Sequence, residues 1–76
     1  MSRNDFVGLL PKILVGLGRR ATVVQVCKYI WEHYEEEIRN SGDFFYTWQY
    51  DVRWAADTLR KRGVIKLGRN RAWELI

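Results

Sequence analysis

A chain of 76 residues, 47% of them hydrophobic and four of them Trp, has the composition of one small globular domain (residues 1–76) rather than of a disordered segment, and a domain this short hides only roughly 60–65% of its unfolded surface. One Cys and one His exclude an internal disulfide and leave no zinc quartet, so a reducing, cytoplasmic setting without a metal or other cofactor is expected. The net charge of +4 is unevenly placed: Arg53, Arg60, Lys61, Arg62, Lys66, Arg69 and Arg71 stand against Asp57 alone between positions 53 and 71, and the rest of the chain is slightly acidic.

The first helix is predicted from about Asp5 to Leu17, with Phe6, Leu10, Ile13, Leu14 and Leu17 on one side at 100° per residue and Lys12 facing away. Pro11 removes a backbone hydrogen bond inside it, which predicts a kink there or a true start near Leu9. Gly18 ends it as a residue free to take positive φ. The apolar stretches "FVGLL" and "ILVGL" are interrupted by Pro11-Lys12 and are too short to cross a bilayer, and no signal-peptide pattern is present.

Thr22 and Gln25 form a capping-box pattern that opens the second helix. Val23, Cys27, Ile30, Trp31, Tyr34 and Ile38 are its predicted apolar face, which makes Cys27 a core residue and puts His33 at the stripe's edge. "EEE" at 35–37 places an acidic end on this helix, directed away from any phosphate, before "NSG" stops it. "DFFY", Asp43 to Tyr46, reads as the connection to the third helix, its aromatics capping the core or, alternatively, forming a pocket for a methylated or flipped base.

The third helix is predicted from Trp48 to Arg62, with Thr47 as N-cap and Gly63 just past its end. Trp48, Val52, Ala55, Ala56 and Leu59 form a narrow inward seam. Gln49, Arg53, Asp57 and Arg60 form a polar outer stripe flanked by Tyr50, Trp54 and Lys61; the ribbon that follows is expected to cover Trp54. From Val64 the period changes to two, and "VIKLGRNRAWELI" predicts two strands. Ile65, Leu67, Trp73 and Leu75 share a face only if the loop between them has an odd number of residues, which Gly68-Arg69-Asn70 supplies with Asn70 left-handed. Arg69 and Arg71 then lie at the tip.

Three helices followed by a two-stranded antiparallel wing define an α+β fold, a winged helix-turn-helix, whose third helix enters the major groove of double-stranded DNA while the wing meets flanking backbone. Gln49 and Arg53 carry the groups that pair with adenine and guanine edges. Thr47, Tyr50, Arg60, Lys61, Lys66, Arg69 and Arg71 are the candidates for phosphate contact. The bland alternatives are an Arg53–Asp57 pair at i+4, and Arg60 and Lys61 acting only on the helix dipole.

"RWAADTLRKRGVI" followed by "RAWEL", with "LLPKIL" near the start, resembles the N-terminal winged-helix domain of Mrr-type restriction endonucleases. The match rests on Leu10-Pro11, Trp54-Ala55, Leu59, Lys61, Gly63 and Trp73, and covers about positions 9 to 76. Arg53 and Arg62 stand where that family has smaller residues. The resemblance implies DNA binding, modified bases among its targets, and a restriction setting in which a separate nuclease or a second copy of the chain is the partner. With no room for a nuclease domain and no catalytic triad, phosphate loop or paired-carboxylate cleft, no enzyme activity is expected. The competing class is a protein-interaction or dimerisation module, with Val7 and Val15 as its candidate contacts, since fold does not fix function.

Overall fold

The computed structural model describes residues 1–76. Its first helix, α1 (Arg3–Gly16), starts two residues before the predicted position because the Ser2 backbone N–H donates to the Asp5 carboxylate at 2.8 Å, satisfying the chain at the entry turn. It continues through Pro11 rather than starting at Leu9; Phe6, Leu10, Ile13 and Leu14 are all buried, and this packing outweighs one missing backbone bond. Leu17 forms the C-cap and Gly18 follows with φ 89°.

A short strand that the sequence does not announce, β1 (Arg20–Thr22), leads into α2 (Val23–Arg39). The reciprocal cap is present: the Gln25 N–H donates to Thr22 Oγ1 at 3.2 Å, and the Thr22 N–H donates to Gln25 Oε1 at 2.8 Å. The buried line of α2 is Val26, Ile30 and Ile38. The predicted face is thus rotated, with Val26 at its centre and Val23, Cys27, Trp31 and Tyr34 half-buried beside it. Tyr34, at φ −130°, breaks the helical geometry, which lets Ile38 reach the core beyond the break.

The third helix, α3 (Phe44–Lys61), begins four residues before Trp48. Asp43 makes no side-chain cap there. Tertiary contacts hold the first turn instead: Phe44 lies 5.5 Å from Phe6 and Phe45 lies 6.4 Å from Trp31, centroid to centroid. The "DFFY" connection is therefore largely helix. Trp48, Val52, Ala55, Ala56 and Leu59 are buried, as predicted, together with Asp51. Gly63, at φ 75°, closes the helix.

Strands β2 (Ile65–Leu67) and β3 (Ala72–Leu75) form the hairpin, and β1 adds to the free side of β3, giving an antiparallel sheet in the order β1-β3-β2. The sheet has three strands, not two. Three residues between a helix and a cap are too few to show a period of two, so β1 is specified by pairing (Arg20 opposite Glu74, Ala21 opposite Trp73) rather than by local pattern. Ile65 pairs with Leu75 and Leu67 with Trp73, which is the expected parity. The loop is shifted by one residue: the Gly68 N–H donates to the Ala72 carbonyl at 2.7 Å, and Arg69, Asn70 and Arg71 form the tip. Asn70 and Arg71 both take left-handed φ, 57° and 59°. Phe6, Leu10, Leu14, Val26, Ile30, Val52 and Ile65 lie at the centre of the single core formed by all three helices and the sheet.

Candidate nucleic-acid interface

Helical spacing puts Gln49, Arg53, Asp57 and Arg60 in one row along the outside of α3, all exposed. Beside this row, the start of α2 and the hairpin rise on either hand. Arg53, Arg60 and Arg71 line the open groove so formed, about 530 Å³ in volume, with Thr22, Asp57, Leu67 and Asn70. A second depression continues past Arg60 to Lys61 and Lys66 along β2. At the other end Gln49 and Arg53 lead into a cleft between α2 and α3. Cations from α3 and from the hairpin therefore share one surface.

Ion pairing divides these cations. Lys61 lies 3.0 Å from Asp57, and Lys66 lies 4.0 Å from Glu74. Arg53, Arg60, Arg69 and Arg71 have no carboxylate within ion-pairing distance. The Arg53–Asp57 pair does not form, because Asp57 turns toward Lys61 one helical turn further on. Four guanidinium groups thus remain without an ion pair, and Arg is the side chain best suited to bidentate contact with phosphate or guanine.

Three predicted contacts lie elsewhere. Thr47 is not a cap and does not serve the groove: its hydroxyl donates to Asp51 Oδ2 at 3.0 Å. Tyr50 is exposed on the outer face of α3 but lines none of the three depressions. Arg69 points from the hairpin tip outside the main groove, and its carbonyl accepts a 2.7 Å hydrogen bond from Arg20 Nη2. Trp54 packs against the core with Arg3 over its ring, Cζ 4.4 Å from the centroid. Of the proposed contact seeds, Val7 packs against the core while Val15 stays exposed.

Other groove residues are not evident from the sequence. Thr22 is legible as a cap, but only the fold brings the start of α2 to the hairpin. Tyr46, 83% exposed, stands one turn before Tyr50 on the face of α3; reading "DFFY" as loop hides that spacing. Cys27 is half-buried, packed against the core at the edge of the cleft between α2 and α3. Burial pushes its thiol pKa up, and the nearby Arg53 guanidinium opposes that rise. The acidic residues of α2 are separate: Glu35 binds Arg39 at 2.9 Å and Glu32 faces Lys28. No cluster of His, Cys, Asp or Glu suited to a metal ion is present, and no helix is long and apolar enough to cross a membrane.

No protein-family model matches the chain, and no curated protein or solved structure matches it.

Proposed function

We propose that the chain binds double-stranded DNA as a winged helix, with the outer row of α3 in the major groove and the β2–β3 hairpin against the adjacent backbone. The observation that supports this reading is the convergence of Arg53, Arg60 and Arg71, from two separate elements and with no ion pair of their own, on one groove whose single carboxylate, Asp57, is paired with Lys61. Gln49 and Arg53, on the outer row of α3, carry the groups that read base edges, Arg60, Lys66 and Arg71 supply charge to phosphates, and Arg69 meets flanking backbone from the hairpin tip outside the groove. The strand β1 extends the sheet on the far side of β3, and its Arg20 holds the hairpin tip through the Arg69 carbonyl. The resemblance to the Mrr-type N-terminal domain adds a restriction setting, with a separate nuclease or a second copy of the chain as partner.

Titration with a random-sequence duplex of about two turns at about 50 and 200 mM salt tests this. Four to five neutralised phosphates give a slope of log K against log salt of about −3.6 to −4.5. The triple variant Arg53→Ala, Arg60→Ala, Arg71→Ala is expected to lose most of the affinity while remaining folded. Absence of binding at the lower salt, together with a concentration-dependent dimer, overturns the reading in favour of a protein-interaction module.

A further inference from the structure

The cleft between α2 and α3 is chemically unlike the basic groove it joins. Trp31 and Trp48 stack within it, 5.9 Å between centroids and 13° from parallel, and Phe45 completes an aromatic wall. Arg39 lies over Trp31 with its Cζ 5.1 Å from the ring centroid, which ties the indole to the last turn of α2. Lys28, Gln49 and Arg53 line the same cleft, and no carboxylate does. Its volume of about 590 Å³ lies within the range of small-ligand sites, which are typically apolar with a few placed polar groups. A purely apolar partner helix would leave Arg53 and the Gln49 amide facing its surface without partners, while Lys28 keeps Glu32 at 3.9 Å.

We infer that this cleft holds one unstacked nucleobase of the DNA bound on α3, the ring against the aromatic wall, its polar edge toward the Gln49 amide, and its phosphate toward Lys28 and Arg53. The inference rests on the DNA-binding reading and deepens it, since Arg53 belongs to both the cleft and the basic groove. Base–aromatic contact tolerates every base because each has an apolar face. Gln49, with both a donor and an acceptor, adds discrimination among base edges. An extruded base of a duplex and a single-stranded base beside a duplex end present the same chemistry, and the experiment separates them.

Three DNAs of equal duplex length are compared: fully paired, with one central unpaired nucleotide, and with a short single-stranded overhang. Binding about tenfold tighter to the second is expected for an extruded base and to the third for a single-stranded one, given the usual strength of base–aromatic stacking. The preference should disappear in Gln49→Ala and Trp31→Leu and persist in Trp31→Phe. Because Trp31→Leu can unfold so small a domain, alkylation of Cys27 in the unaltered protein supplies a second readout. The tighter-binding DNA should slow alkylation severalfold relative to the fully paired duplex. Equal affinity for all three DNAs, or Cys27 reactivity that does not distinguish them, overturns the inference and leaves duplex binding standing. Loss of binding to all three overturns the DNA reading itself.

Discussion

Arg3 donates two hydrogen bonds to Asp51, from Nε at 3.1 Å and Nη2 at 2.9 Å, and so ties the first turn of α1 to the middle of α3. The Asp51 side chain is only 8% exposed while that of Arg3 is 42% exposed. The same guanidinium lies over Trp54, and Thr47 completes the carboxylate's partners. This buried anion adds a polar tie to the apolar packing of α1 on α3, of which Phe6 against Phe44 is part.

Removing the cation leaves Asp51 buried with Thr47 alone. Arg3→Ala is therefore expected to cost about 2–3 kcal/mol, below the full value for a deeply buried pair because water reaches the Arg3 side. Thr47→Val removes one hydrogen bond to the same carboxylate and should cost about 1 kcal/mol. Chemical denaturation of the single and double variants measures both, and a sum that departs from additivity shows that the three residues act together. Stability losses below about 0.5 kcal/mol for both variants would place this contact among ordinary surface pairs.

The contrast between what was legible and what was not follows the range of the interactions. Thr22 and Gln25 are three residues apart and Gly63 acts on its own turn, so the start of α2 and the end of α3 can be read directly. The alternation of Ile65, Leu67, Trp73 and Leu75 likewise fixes the hairpin's parity. By contrast, Asp51 and Arg3 are 48 positions apart, and no local pattern distinguishes a buried carboxylate from a solvated one at the edge of a helical seam. The start of α3 is not legible for a related reason: its first turn lacks a side-chain cap and is held by Phe6 and Trp31. Arg53, Arg60 and the hairpin cations were legible as charge. Their meeting in one groove requires α2, α3 and the sheet to be placed first.

The different pairing of the groove cations predicts different salt behaviour. Arg60→Ala and Arg71→Ala should each reduce the salt slope by about 0.9, the effect of one phosphate contact. Lys61→Ala should reduce it less, because Asp57 already neutralises that ammonium at 3.0 Å. Asp57→Asn frees Lys61 and removes a like charge from the DNA-facing side, so binding should tighten roughly threefold to tenfold. Arg53→Ala should in addition relax sequence preference, measured by selection from a randomised duplex pool; an unchanged preference would assign Arg53 to backbone contact.

The hairpin tip is held by a contact that also restricts Gly68. Arg20 Nε donates to Glu74 Oε2 at 3.1 Å while its Nη2 binds the Arg69 carbonyl, and a Cβ built on Gly68 would overlap the Glu74 carboxylate. The φ of Gly68 is −97°, so the restriction is space and not backbone conformation. Gly68→Ala should therefore cost about 1 kcal/mol by displacing Glu74 from Arg20. In the background of Glu74→Ala, where the obstacle is gone, the same change should be nearly neutral, and thermal unfolding of the four proteins measures the difference. Equal losses in the two backgrounds would point to a cause other than Glu74.

Cys27 supplies a pH test of the cleft. Its pKa is raised chiefly by burial, with Arg53 as the opposing influence, so removing that guanidinium should raise it further. The alkylation rate of the unaltered protein plotted against pH should give a midpoint above that of the denatured chain, and Arg53→Ala should shift the midpoint upward again. Because the folded value exceeds the unfolded one, the contribution of the neutral thiol to stability is complete below the unfolded pKa and diminishes as pH rises through the folded one. Cys27→Ala removes this dependence, so its loss of stability should be greater near neutrality than in strong alkali. An Arg53→Ala midpoint at or below that of the unaltered protein would mean that the guanidinium does not face the thiol, and would remove Arg53 from the cleft between α2 and α3.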